Sequence, residues 1–382
     1  MRRPHLRWFV LCALVVLLAS ACGEPASDGA ASTLTPGSTV AVAATTTTVA
    51  ATTTAAAASD GWDLAELGPY GMGTTFFEAT NPFDGERPLR VTAFYPAVTP
   101  STRPEPDAPP DLSDKPYPVV VGAYNDSIFG PHFASHGFVL LAVETQAPTE
   151  EVDSPLELSA ALDALENLSS QPLAGLADTD QTGVIGYSGE SLYALMLAGV
   201  RIDPDHWTAT CDAPPDGWGE DFETMVCSDS PPIVAERAEV AGIATTEGLW
   251  GSLRDERIKA SMPMGPRGFY LAGPEGLSTA EAPILMIVGS ADEERAMETV
   301  SILEYYPTGL ASAITLVDTG HLLIFDADAF AQIRGFALAF FNAQLRGEEE
   351  YAHYLTKEFV EEVAPIGDTV TFDSLVWGVP PS

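Results

Sequence analysis

Three residues of this chain have the types and the surroundings for nucleophilic acyl chemistry: Ser188, Asp292 and His321. A serine hydroxyl is a weak nucleophile at neutral pH. It needs a base to take its proton, and the base needs a carboxylate to fix its tautomer and stabilise the imidazolium. Ser188 stands in Gly183-Val184-Ile185-Gly186-Tyr187-Ser188-Gly189-Glu190-Ser191. The stretch opens as an apolar run that reads as a buried strand. It continues past the serine as the helix-forming Leu192-Tyr193-Ala194-Leu195-Met196-Leu197-Ala198. A serine on a tight turn between strand and helix is a nucleophile elbow: its hydroxyl is lifted clear of the sheet, beside helix N–H groups that lack partners. The usual pattern is G-x-S-x-G, and here the last position is Glu190. Ser191 is the rival nucleophile, but it is expected inside the helix.

Asp292 ends Val288-Gly289-Ser290-Ala291-Asp292, in a loop after an apolar run, and His321 ends Thr319-Gly320-His321 after the next one. Glu293, Glu294 and Asp318 are alternative acids, although Asp318 is too near His321 along the chain to reach the far side of its ring. His132, His136, His206 and His353 are the other histidines beyond the N-terminal segment. An oxyanion needs two N–H donors aimed where the charge develops. Gly189 supplies one. The second is expected from Gly122-Ala123-Tyr124-Asn125-Asp126, with the backbone N–H of Tyr124 as the candidate. His136-Gly137 precedes a strand, which puts it at the wrong end of the sheet.

The elements that must position these residues alternate. Residues 74–80 and 89–95 flank the turn-rich Asn81-Pro82-Phe83-Asp84-Gly85 and read as an antiparallel hairpin. Runs at 118–121, 138–143, 183–187, 257–264, 283–288 and 314–317 read as strands. Helices are expected at 130–135, 156–168, after Ser188, and at 327–345. Repeated strand–helix units imply an α/β fold with a mostly parallel central sheet and helices on both faces. Sites in such sheets form at the carboxyl ends of the strands, where Ser188, Asp292 and His321 all fall. Residues 201–256 interrupt the alternation with Trp207, Trp218, Trp250 and several prolines. They read either as a cap over the site or as a structural excursion.

The start of the chain is read as a leader. Arg2, Arg3 and Arg7 precede an apolar stretch at 8–18, and Ala19-Ser20-Ala21-Cys22 has small-residue cleavage character. The cysteine resembles that of a bacterial lipobox, which implies a signal peptide over 1–21 and lipidation of Cys22; a plain signal peptide or an uncleaved anchor is the alternative. Residues 22–60 are rich in Ala, Thr and Ser and read as a disordered tether of roughly 35 Å reach. The domain then occupies 61–382, with an extension over 347–382. An exported, lipid-anchored protein on the outer face of the membrane follows. In that compartment Cys211 and Cys227 are expected to form a disulfide worth ~3 kcal/mol. Neither cysteine has zinc-ligand spacing, so no metal is expected. The formal charge is −37, with only 17 Lys and Arg that do not cluster, which argues against a nucleic-acid partner. A monomer is expected.

Over residues 66–346 the chain resembles the dienelactone hydrolase and platelet-activating-factor acetylhydrolase branch of the α/β-hydrolases, and it is similar also to cutinase-like polyester hydrolases. The resemblance rests on Gly68-Pro69-Tyr70-Gly71, Phe94-Tyr95-Pro96-Ala97 and Gly130-Pro131-His132-Phe133-Ala134-Ser135-His136-Gly137-Phe138-Val139. It rests also on the Ser188 elbow, Asp255-Glu256-Arg257-Ile258-Lys259-Ala260, Gly289-Ser290-Ala291-Asp292 and Gly320-His321. The order serine, aspartate, histidine is that of the family. The resemblance implies an α/β-hydrolase fold and a serine carboxylic-ester hydrolase without metal or organic cofactor, acting on a small-molecule or polymeric ester. Tyr124 matches the aromatic residue whose N–H and ring line the acyl site in the polyester branch. Acetylhydrolase-like members carry His-Gly there, where this chain has Gly122-Ala123. The glycine usual at position 190 allows close packing of helix on strand, so Glu190 is expected to turn its side chain away from the oxyanion. An acyltransferase using the same residues, or a non-catalytic binding lipoprotein, remains the alternative.

Overall fold

Strands buried on both faces must be apolar without interruption. The run at 118–121 becomes β4 (Tyr117–Ala123), every residue of which is buried. The rule holds equally for β5 (Val139–Val143) and β8 (Ile284–Gly289). With β6 (Ala177–Tyr187), β7 (Ile258–Met264) and β9 (Ala311–Leu316) these make six parallel neighbours, ordered β5-β4-β6-β7-β8-β9. The hairpin of β1 (Gly71–Ala79) and β2 (Leu89–Ala97) joins antiparallel beside β5, with the two-residue β3 (Glu105–Pro106) outside it. At the other edge β10 (Val370–Ser374) runs antiparallel to β9, completing ten strands among the described residues. The computed structural model describes residues 63–146, 151–170, 172–215, 226–227, 231–362 and 370–374. The leader, Cys22, the tether, Trp218 and Trp377 lie outside the described residues.

Alternate residues of each strand face opposite layers. Val120, Leu140, Ile185, Met262 and Ile287 pack with α1 (Gly130–Ser135) and the long α8 (Ala327–Phe341). Val119, Val121, Leu141 and Val184 face α2 (Asp153–Glu166) and α3 (Ser191–Leu197). Each large side chain buried this way contributes about 1.5–3 kcal/mol. The expected helix over 327–345 is α-helical only to Phe341. A wider turn, Asn342–Arg346, finishes it before Gly347 enters the left-handed region at φ 67°. Two further helices, α6 (Phe269–Leu277) and α7 (Glu293–Tyr305), cover β8 and β9 and are not singled out by the sequence pattern.

The described part of 201–256 packs on the helical layer. It contributes α4 (Pro204–Asp212), capped by the Asp203 carboxylate, and α5 (Pro231–Val240). Trp207, Val226, Val234 and Trp250 bury themselves against Leu192 and Met196 of α3 and against Tyr270 and Leu271. Cys211 and Cys227 form the expected disulfide. Arg237 meets the fully buried carboxylate of Asp153 at 2.5 Å and lies 4.0 Å over the Phe83 ring. Among the described residues no helix is long and apolar enough to cross a membrane.

Candidate active site

β6 ends at Tyr187, and the chain turns at once. Ser188 has φ 58°, a left-handed conformation that costs a residue with a Cβ about 1–2 kcal/mol. The turn is held from outside. Ser191 Oγ donates to the Ser188 carbonyl at 2.5 Å and accepts the backbone N–H of Arg267 at 3.0 Å. The Arg267 side chain donates to the Gly189 carbonyl at 3.3 Å. Ser191, the rival nucleophile, is thus fully buried and occupied as a brace. The close approach of helix to strand falls on Gly186, where a Cβ would stand 2.2 Å from the Glu190 carbonyl oxygen.

The base and the acid arrive on neighbouring loops. Asp292 is the residue just before α7, and His321 follows β9. The Ala291 N–H donates to Thr319 O at 2.9 Å, and the Asp318 N–H donates to Ser290 Oγ at 2.9 Å. A Cβ on Gly289 would stand 2.1 Å from Thr319 O, so only glycine lets the loops come this close. The result is a chain of two hydrogen bonds. Ser188 Oγ is 2.8 Å from His321 Nε2, and His321 Nδ1 is 2.6 Å from Asp292 Oδ2. Asp318, the rival acid, makes its bond through the backbone. The rings of His132 and His136 lie tilted against each other at the end of α1, and His206 packs on Phe269.

Sequence reasoning passed over Tyr187. Its hydroxyl donates to the His321 carbonyl at 2.5 Å, and its ring stacks on the imidazole with centroids 5.4 Å apart. Burial, followed by the charge of Asp292, pushes the phenol up to about 12, so it remains a donor throughout the useful pH range. Behind the site lies a second unread group. Glu298 is buried and accepts the N–H groups of Gly268 and Phe269 at 2.9 and 2.8 Å. Its carboxyl is raised by burial, while the nearby Arg295 favours the charged form. This fixes the loop that carries Arg267.

On the other side of Ser188, Tyr124 and Gly189 occupy the starts of the turns that follow β4 and β6. The Glu190 carboxylate is directed at the β4 loop, with Oε1 accepting from Asn125 Nδ2 at 2.9 Å. Asp126 is 1% exposed, and its Oδ2 accepts the Ala123 N–H at 3.0 Å. Burial and then the charge of Glu190 push the Asp126 carboxyl well above the usual range, against the opposing effect of the Ala123 bond. A cavity of about 510 Å³ opens here, lined by Ala123, Tyr124, Asn125, Glu144, Thr145 and Glu190. Leu322 and Phe325 stand 66% and 71% exposed just past His321, and Tyr124 is 54% exposed at the start of the turn after β4. A cavity of about 400 Å³ lies at the amino end of β4, lined by Tyr117, Pro118 and Arg346, and contains none of the relay residues. Among the described residues no group of three His, Cys, Asp or Glu side chains is placed to hold a metal ion.

No protein-family model matches this chain, and no curated protein matches it either.

Proposed function

We propose that this protein is a serine carboxylic-ester hydrolase of the α/β-hydrolase fold, exported and lipid-anchored at Cys22. The observation that carries the reading is the relay from Ser188 through His321 to Asp292, with hydrogen-bond distances of 2.8 and 2.6 Å. The three residues come from separate strand ends, and a serine held at φ 58° is strained in the way active sites store strain.

In the proposed reaction Ser188 Oγ attacks the ester carbonyl carbon while His321 Nε2 accepts the hydroxyl proton. The N–H groups of Tyr124 and Gly189 hold the oxyanion of the tetrahedral intermediate. The carbon–oxygen bond to the alcohol then breaks, and the alcohol leaves with the proton from His321. A water molecule, deprotonated by His321, attacks the acyl carbon. The carboxylic acid departs and Ser188 recovers its proton. Asp292 accepts from His321 Nδ1–H throughout, which keeps Nε2 facing the serine. The exposed side chains of Tyr124, Leu322 and Phe325 offer the acyl or alcohol part an apolar surface.

The test is hydrolysis of p-nitrophenyl esters from acetate to long acyl chains, with Ser188→Ala as control. The wild type is expected to turn over and to be labelled at Ser188 by a fluorophosphonate, while the variant does neither. Equal hydrolysis by both proteins overturns the reading.

A further inference from the structure

Position 190 is where the elbow departs from its usual glycine, and the structure gives that departure a physical role. The backbone does not need a glycine there. Strand–helix closeness is supplied four residues earlier, by Gly186 against the Glu190 carbonyl. The side chain is therefore free to leave the helix, and it crosses to the loop after β4. Glu190 Oε1 takes the Asn125 amide at 2.9 Å, joining residues 65 apart in sequence. The two ends of this bond matter. Glu190 directly follows Gly189, and Asn125 directly follows Tyr124. The bond therefore spans the two loops whose N–H groups form the proposed oxyanion hole.

The β4 loop is pinned from below as well. Asp126 folds under it to take the Ala123 N–H, and its Oδ2 would stand 2.6 Å from a Cβ on Gly122. Its carboxyl, buried beside Glu190, is held toward the neutral form.

We propose that Glu190 and Asn125 are positioning residues that clamp the elbow to the β4 loop and so set the spacing of the Gly189 and Tyr124 N–H donors. The proposal rests on the ester-hydrolase reading for its catalytic consequence and on geometry alone for the clamp. A clamp of this kind acts on the transition state, because the oxyanion forms only there. Its loss should lower kcat and leave KM nearly unchanged.

The experiment is a double-mutant cycle on the full chain with a p-nitrophenyl ester, using Asn125→Ala, Glu190→Ala, the double variant and Glu190→Gln. Each single variant is expected to lower kcat about tenfold with KM within about twofold, on the scale of a misplaced oxyanion donor. The double variant should be no worse than either single one, and Glu190→Gln, which keeps an acceptor for Asn125, should recover most of the loss. Singles without effect, losses that multiply in the double variant, or a glutamine variant as impaired as the alanine one would each overturn the clamp. Hydrogen–deuterium exchange over residues 123–129 provides a readout that needs no catalysis. Faster exchange in both alanine variants supports the clamp even if Ser188→Ala retains full activity and the ester-hydrolase reading falls. Unchanged exchange overturns it in either case.

Discussion

Two carboxyl groups flank Ser188 on the same rim of the sheet, and their company is opposite. Asp292, past β8, faces an imidazole nitrogen at 2.6 Å. Asp126, past β4, faces the carboxylate of Glu190 and holds a backbone N–H. Both side chains are shielded from water, and both follow short apolar strands. The neighbour decides what each can do. A carboxyl beside a base can orient it and balance a positive charge that forms on it. A carboxyl buried beside another acid is driven toward its neutral form and becomes a fixed part of the scaffold. One half of the rim joins a carboxylate, an imidazole and a hydroxyl in sequence, and the other half ties two loops together.

The sharpest way to break this contrast is to remove the charge from the first half. Asp292→Asn preserves shape but presents an amide to His321 Nδ1, which favours the wrong tautomer. A fall in kcat of ~10⁴ is expected, measured at saturating ester. A fall below tenfold would mean that the two carboxyls differ less than their partners suggest.

A smaller effect tests the second half through stability. Glu157 on α2 is buried and takes its bonds from the Asn81 amide at 3.1 Å and the Gln146 N–H at 3.0 Å. Burial above all pushes its carboxyl up from 4.5 to about 7. The folded value lies above the unfolded one, so between them the folded protein keeps a proton that the unfolded chain has released. Stability is therefore lost as pH rises from about 4.5 to about 7, and none is lost below that window. Urea unfolding at pH 5 and pH 8 should show Glu157→Gln gaining on the wild type by on the order of 1–2 kcal/mol, because solvent screens part of the penalty. An identical pH slope in the two proteins would place Glu157 with Asp292 rather than with Asp126.

The smallest effect concerns Tyr187. Tyr187→Phe removes the bond to the His321 carbonyl but leaves the ring stacked on the imidazole. A loss in kcat of about threefold to tenfold is expected, the worth of one hydrogen bond, without change in KM. A loss as large as that of Asp292→Asn would show that the phenol, and not the carboxylate, fixes the ring.

The legible half of the rim is the half whose residues announce themselves locally. Ser188, Asp292 and His321 each follow an apolar run, and strand ends in a parallel sheet converge. The central strands were legible for the same reason, since burial on both faces leaves a continuous apolar signature. Glu190 and Asn125 leave no such mark, because nothing within either segment refers to the other. Helix α7 was obscured because its inner face carries Arg295, Glu298 and Thr299 where an apolar stripe is usual. The five-residue β10 pairs with β9 across some fifty residues of chain, so its place depends on contacts that no local window contains. Tyr187 was visible only as a strand residue, because its role depends on a histidine 134 positions later.

The left-handed turn at Ser188 has a consequence in time. Its braces, Ser191 Oγ and the Arg267 backbone, meet only after β7 has been laid beside β6. A chain emerging from synthesis carries Ser188 before it carries the support that makes the turn affordable. Until the later strands dock, nothing braces the serine in the left-handed region, and an ordinary backbone conformation is favoured. Under the ester-hydrolase reading, reactivity toward a fluorophosphonate would thus double as a clock for maturation, since the serine is set in its turn only once the later strands have docked.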